Sequence, residues 1–328
     1  MNDQQFNRNA ILAKSPPGQR SLFDHLQDCL GIFKQLKIAL PALPRCAGDT
    51  FFWDMLFLAV YLHDWGKACS GFQQQLQPDG KRWGERHERF SAAFVALASL
   101  DERKQQQVGR AILGHHKTFD KLRELRIRIK AQEDGILDLD FIRAETSFAQ
   151  QIEDIDKNYI RFLKNQLPDV SMRFHPQNRI QTQTIQFSQL QDPLDILLDF
   201  WLKKAPESHS QVFWLEMLLC GATKMCDHLG SARMENIPVL TQDDFQFMQR
   251  IQPYVHQKNC WQTTGHAFLT APTGSGKTEA ALGWIQLQLA REQGRVFYIL
   301  PYTASINAMQ QRLAQILTPE QSFESSEL

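Results

Sequence analysis

His63-Asp64-Trp65-Gly66-Lys67 closes an apolar run that extends from Phe51 to Leu62. A histidine beside an aspartate, with a glycine and a lysine just after, supplies what a phosphate-cleaving metal site asks for. These are a neutral imidazole, a carboxylate able to bridge two cations, and an ammonium for the phosphate. Phe52, Met55, Leu56, Ala59 and Val60 recur at spacings of three and four and lead to His63, so the run predicts a helix with His63 at its buried edge. Asp64, rotated by about 100° from it, can face a neighbouring cavity. Gly66 is expected to take the left-handed conformation that ends such a helix, turning Lys67 back toward the site. A solvated lysine favoured by the helix dipole is the alternative for Lys67. A His-Asp pair alone decides nothing, and the case depends on further ligands elsewhere in the chain.

Toward the N-terminus, Met1 to Arg20 is polar, carries Pro16-Pro17-Gly18 and reads as a lead-in rather than a helix. Ser21 with Asp24 three residues on resembles a capping box, and the stripe Leu22, His25, Leu26, Cys29, Leu30, Phe33 then predicts a helix with His25 facing inward. A core histidine bonded to a carbonyl is the plain reading of His25, and a ligand the reading in company. Toward the C-terminus, Gln73 to Gly84 is a polar connection. His87-Glu88-Arg89-Phe90-Ser91 opens a helix with Phe90, Phe94, Leu97 and Leu100 as its stripe, and His87 in its first turn is either a surface residue or a ligand.

A helix from about Glu102 leads into Leu113-Gly114-His115-His116-Lys117, where consecutive side chains diverge and can serve two cations, or a cation and a phosphate. Lys121, Arg123, Arg126, Arg128 and Lys130 alternate with Leu122, Leu125, Ile127 and Ile129: a solvated helix face, or a guide for a phosphate backbone. Leu137 to Leu167 reads as one long polar-faced helix, Pro168 to Asp192 as a loop, and Pro193 to Lys204 and Gln211 to Leu229 as helices. Asp227 stands near the end of the last, beside His228. A carboxylate on the margin of an apolar helix needs a metal, an arginine or a capping role.

Bulk properties limit the function classes. With 328 residues the chain suggests two domains, divided here as 1–235 and 236–328. Lys+Arg and Asp+Glu balance at 36 each, so a nucleic-acid partner has to be met by a local patch. The six cysteines show no C-x-x-C spacing, which argues against structural zinc and for a reduced, cytoplasmic protein. No apolar run suits a bilayer, so no membrane partner is expected.

His25, His63, Asp64, His87, His115, His116 and Asp227 occur in an order that resembles the HD metallohydrolase superfamily. Ala13-Lys14-Ser15, His63-Asp64-Trp65-Gly66-Lys67, His87-Glu88-Arg89-Phe90-Ser91 and His115-His116 resemble more closely the nuclease domain of the CRISPR-associated nuclease-helicase of type I interference systems. The resemblance implies an HD-type helical bundle holding two divalent ions: one on His25, His63, Asp64 and Asp227, the other on Asp64, His87, His115 and His116. Asp64 and Lys67 would be the catalytic residues. Imidazole-rich ligation suits manganese, nickel, cobalt or iron better than magnesium alone.

The last quarter bears on that resemblance. Ala267 to Thr270 predicts a short strand, followed by Ala271-Pro272-Thr273-Gly274-Ser275-Gly276-Lys277-Thr278 and a helix from Glu279. This is a Walker A loop for ATP with magnesium: glycines let backbone N–H groups cradle phosphates, Lys277 reaches the terminal phosphates and Thr278 holds magnesium. Alanine replaces the first glycine of the general pattern, a change common in superfamily 2 helicases. A second predicted strand, Val296 to Leu300, runs into Pro301-Tyr302-Thr303-Ala304, which resembles a helicase motif that contacts single-strand backbone.

The expected fold is therefore mainly α, an HD bundle followed by an incomplete α/β RecA-like segment. With no acidic Walker B segment or second lobe, the chain reads as the N-terminal piece of a longer protein with little ATP turnover. The expected function is metal-dependent cleavage of single-stranded DNA in antiviral defence, by a monomer recruited to a Cascade-type CRISPR surveillance complex. The alternatives are an HD phosphohydrolase acting on nucleotides and an inactive truncated fragment.

Overall fold

The computed structural model describes residues 7–116, 148–184, 186–203, 210–237, 240–291, 296–300 and 302–317, together with Lys121, Glu124 and Glu207. The chain divides into two compact units, Met1–Glu235 and Asn236–Leu328. No helix of the described residues is long and apolar enough to cross a membrane.

In the first unit a small hairpin, β1 (Leu12–Lys14) and β2 (Arg20–Ser21), precedes α1 (Leu22–Ala39), α2 (Leu43–Ala47) and α3 (Phe52–Leu62). A 3-10 turn, Trp65–Ala68, then leads to α4 (Ser70–Gln75), α5 (His87–Ala93), a second 3-10 turn (Phe94–Leu97) and α6 (Glu102–Leu113). After these come α7 (Phe148–Glu153), α8 (Lys157–Phe174), α9 (Leu194–Lys203) and α10 (Gln211–Ser231). Helix α1 begins where its sequence says: the Ser21 hydroxyl accepts the Asp24 N–H at 3.1 Å, one of the donors that a helix N-terminus leaves free.

Helix α3 is the axis of the bundle, with α1, α6 and α10 packed on it. Its periodicity predicts a single buried stripe. Instead every residue from Asp54 to Leu62 is buried, as is Phe52, because neighbours cover it on all sides. Asp54 is the polar exception. Arg179 holds it with its guanidinium at 2.6 Å and its backbone N–H at 2.9 Å, and His175 contacts it at 3.2 Å, so this buried charge is paired rather than orphaned.

Four expectations are corrected. The N-terminal lead-in is not wholly irregular, since Leu12–Lys14 pairs antiparallel with Arg20–Ser21 across the Pro16-Pro17 turn. The single helix expected over 137–167 is broken within its described part between Glu153 and Lys157. Asp156 caps the new helix by accepting the Tyr159 N–H at 2.9 Å, and residues 137–147 lie outside the described residues. The loop expected from Pro168 starts only after Phe174, because α8 runs through the proline. A proline in a helix interior costs about 3 kcal/mol, while Val170 and Phe174 are buried beyond it and each contributes about 1.5–3 kcal/mol. The fourth concerns α5, which tightens into a 3-10 turn at Phe94, so Leu100 does not extend its stripe.

The second unit contains a 3-10 stretch (Gln242–Arg250), α11 (Val255–Gln262), α12 (Lys277–Arg291) and α13 (Thr303–Ile316) around Phe245, Met248, Leu282, Ile285 and Leu317. Ala267–Thr270 and Val296–Leu300 belong to no helix and form no strand ladder among the described residues. Phe268 is 96% exposed and Ile299 87% exposed. A strand exists only through hydrogen bonds to a neighbour, and neither stretch has one.

Candidate metal centre

Helix ends and first turns in the first unit bring the ligands together. His25 lies on the inner face of α1, His63 at the end of α3, and Asp64 beside it at the start of the 3-10 turn. His87 is the first residue of α5, His115 and His116 follow the Gly114 cap of α6, and Asp227 lies near the end of α10. His25, His63, Asp64, His115 and Asp227 are all buried.

The two oxygens of Asp64 face different groups. Oδ2 lies 3.0 Å from His25 Nε2 and 3.4 Å from His63 Nε2. Oδ1 lies 3.0 Å from His87 Nε2 and 3.9 Å from His115 Nε2. Asp227 Oδ1 closes the first group at 3.4 Å from His25 and 3.5 Å from His63, and its Oδ2 lies 3.7 Å from His116 Nδ1. The ligand atoms of Asp64, His87, His115 and His116 all lie within 4.8 Å of one another; so do those of His25, Cys29, His63 and Asp227.

Two of the rings are fixed from behind. His63 Nδ1 and His115 Nδ1 lie against the carbonyls of Val60 at 2.7 Å and Ile112 at 2.5 Å. Donation to those carbonyls turns each Nε2 toward the centre and would leave it as the ligating atom once a metal displaces any proton there, the arrangement that orients metal-binding imidazoles. The Nε2 atoms of His63, His87 and His115 are buried without a well-formed hydrogen bond, and the two oxygens of Asp64 meet these rings and Lys67 only as close ionic contacts. Buried polar atoms without well-formed bonds are costly, and a divalent cation would satisfy all five. The residues present therefore fit a divalent-metal site.

The electrostatics agree with this. Burial would raise the Asp64 carboxyl, but His63 and Lys67 hold it well below the usual carboxylate range. Burial would raise Asp227 as well, but the His25 and His63 rings beside it hold it below the usual carboxylate range. For His63 burial acts downward, yet Asp64 and Asp227 push it up to about 10. Burial, then His116 and His63, hold His115 well below the imidazole range, and burial with His87 brings His116 down to about 4. The carboxylates stay ionised, so this buried centre must take up positive charge as a proton, an ammonium or a metal ion.

Lys67 supplies part of that charge: its Nζ lies 2.7 Å from Asp64 Oδ2 and the residue is buried, which answers the question its sequence left open. Gly66 gets it there by a route other than the one expected. It lies inside the 3-10 turn, not in the left-handed region. Its role is close approach. A Cβ on Gly66 would sit 2.1 Å from the His87 carbonyl oxygen, and its N–H donates to Ser91 Oγ at 2.8 Å. Gly66 thereby joins the His-Asp segment to α5.

Three residues at the centre are not among the expected ligands. Cys29, one turn after His25, places Sγ 3.6 Å from His25 Nε2, and burial followed by Asp227 and Asp64 pushes its thiol well up. His228 joins a looser grouping with His116 and Asp227. Glu88 is buried, with Oε2 3.5 Å from His87 Nδ1 and Oε1 3.7 Å from the Arg86 guanidinium. Burial would raise Glu88, but His87 and His115 bring it down to about 2. Its sequence signal was an acid beside a histidine in a first helical turn, where exposure is the ordinary outcome.

In the second unit Thr273, Gly274, Ser275, Gly276, Lys277 and Thr278 form a turn leading into α12, with Gly274 and Gly276 at φ of +79° and +76°. Only glycine takes that conformation at no steric cost. Lys277 Nζ donates to the carbonyls of Ala271 and Pro272, both at 2.8 Å. Gln257 and Trp261 of α11 bond the carbonyls of Gly276 and Glu279. Of the residues expected to meet a nucleic-acid backbone, Lys121 is exposed, and Arg123, Arg126 and Arg128 lie outside the described residues. Thr303 opens α13, and its side chain is likewise outside them.

Residues 13–234 match the family model described as Cas3, HD domain. The chain belongs to that family. Residues 252–326 match the model for DEAD/DEAH box helicases, so the chain has the Cas3-like arrangement of an HD nuclease domain joined to a helicase segment. Membership makes it a metal-dependent hydrolase with a nucleic-acid substrate in a CRISPR system. No curated protein matches the chain.

Proposed function

We propose that the chain cleaves single-stranded DNA with two divalent metal ions, as the nuclease of type I CRISPR interference in antiviral defence. The observation that carries this reading is the division of the Asp64 carboxylate between His25 and His63 on one side and His87 on the other. In this reading His25, His63, Asp64 and Asp227 hold one ion, and Asp64, His87, His115 and His116 hold the other. When bound, such a pair of ions polarises a phosphodiester and lowers the pKa of a water molecule. Lys67, 2.7 Å from Asp64, is positioned to offset charge developing on the phosphate. Val60 and Ile112 keep His63 and His115 in the ligating tautomer. The imidazole majority favours manganese, nickel, cobalt or iron over magnesium.

The helicase segment supports a polynucleotide over a free nucleotide as substrate. Its phosphate-loop residues Thr273 to Thr278 would take ATP with magnesium in the intact motor. The setting this reading implies is a cytoplasmic monomer recruited to a CRISPR surveillance complex of the Cascade type, acting on the strand that the complex displaces. The test is cleavage of a single-stranded oligonucleotide by purified protein with added manganese or nickel. Asp64→Ala should abolish it; retained cleavage would sink the reading, and faster turnover of dNTPs would favour a nucleotide phosphohydrolase.

A further inference from the structure

Beside the ligand cluster, the β1–β2 hairpin, α1 and the end of α10 enclose a cavity of ≈ 300 Å³ lined by Lys14, Arg20, His25, Asp28, Ser231 and Arg233, among others. One of its walls is His25, whose Nε2 is 3.0 Å from Asp64 and 3.4 Å from Asp227. The cavity therefore abuts the centre itself.

Its charge is uneven. Arg20 and Asp28 neutralise each other through two parallel contacts of 2.9 and 2.8 Å. Lys14 and Arg233 have no carboxylate partner among the described residues. Lys14 Nζ donates to the Ser231 carbonyl at 3.0 Å, one bond for a group with three donors. Among the described residues the Arg233 guanidinium makes a single long contact, 3.5 Å, to the Gln19 carbonyl. Arg233 is also the one non-glycine residue with positive φ, +55°, among the described residues. Arginine in that region stores strain, which persists where surrounding structure or function holds it.

A metal centre that takes one phosphodiester leaves the adjoining phosphates of a polynucleotide to be met by other cations. We propose that this cavity is a backbone-phosphate subsite, in which Lys14 and Arg233 bind a phosphate adjoining the one presented to the metal centre. The inference rests on the nuclease reading and adds to it how a strand is held in register. Phosphate contacts of this kind position a strand without reading its sequence.

The experiment is binding of a fluorescent single-stranded oligothymidylate, by anisotropy over a range of salt concentrations, to wild type, Lys14→Gln and Arg233→Gly. Glycine accepts the left-handed backbone at position 233, so that variant removes the guanidinium without asking the fold to change, should Lys14→Gln fold poorly. Each variant should bind several-fold more weakly. Each should also lower the slope of log affinity against log salt by about 0.7, the value for one phosphate contact on a single strand. Metal content and hydrolysis of bis(p-nitrophenyl) phosphate, which has no adjoining phosphate, should be unchanged. Unchanged affinity and slope in Arg233→Gly would overturn the proposal, as would weaker binding that merely follows loss of metal. Displacement of the strand by inorganic phosphate, with no dependence on oligonucleotide length, would also overturn it. Wild type that binds through these two residues but never cleaves would refute the nuclease reading and leave the subsite standing.

Discussion

Gly66 and His87 meet backbone to backbone: a Cβ on Gly66 would lie 2.1 Å from the His87 carbonyl oxygen and 3.0 Å from Phe90 Cβ. This contact sets the distance between the two ligand-bearing segments, because Asp64 precedes Gly66 by two residues and His87 reaches Asp64 Oδ1 at 3.0 Å. Backbone cannot rotate aside as a flexible side chain can.

Gly66→Ala should therefore destabilise the protein by about 1–3 kcal/mol, the scale of overpacking in a filled interior. It should also weaken metal at the His87 side more than at the His25 side. Urea unfolding and metal titration together check this, and an alanine variant with wild-type stability and two equivalent ions would contradict it.

Glu88 is expected to act through His87. Its Oε2 is 3.5 Å from His87 Nδ1, within reach of orienting the ring, and removing such outer partners typically costs about 10–100-fold in metal affinity. Glu88→Ala should show that loss at one of the two sites, and Glu88→Gln, whose amide oxygen can still accept from Nδ1, should recover much of it. Isothermal titration with manganese measures both. If alanine and glutamine variants lose affinity equally, the charge of Glu88 matters and its bond to His87 does not.

Acid should weaken the bundle through Asp54. Burial would raise this carboxyl, but His175, the Arg179 N–H and the Arg179 guanidinium hold it below the usual carboxylate range in the folded protein. The unfolded chain binds this proton more readily, so the stabilisation is present above the unfolded value of about 3.9 and fades as pH falls through the folded value. Asp54→Asn should cost about 2–3 kcal/mol at neutral pH, the scale of a hydrogen bond to a charged group. The lower end is expected, since Arg179 is half exposed. Urea midpoints of variant and wild type should converge toward pH 3, and a gap independent of pH would show that shape rather than charge is responsible.

Much of the fold was legible because it is local. The Ser21 cap, the helical stripes of α1 and α10, and the strand-free helix ends all follow from residues three or four apart. The errors came where packing overrode local preference. Pro168 sits inside α8 because apolar residues continue beyond it. Two apolar stretches in the second unit pair with no strand among the described residues, since strand pairing depends on a partner that the stretch itself does not specify.

The candidate site divides along the same line. By itself the sequence placed His25 on an inner helix face and His63 beside Asp64 at a helix end, because helical periodicity needs only neighbours. It also specified the glycines at positions 274 and 276, whose positive φ shapes the turn into α12. Only the tertiary structure decided that Asp64 turns one oxygen to each histidine group, that Lys67 is buried against it, and that Glu88 stands behind His87. It alone decided that Lys14 and Arg233 share a cavity with His25. Those relations join segments far apart in the chain, and their distances are set by how α1, α3, α6 and α10 pack, which no local pattern encodes.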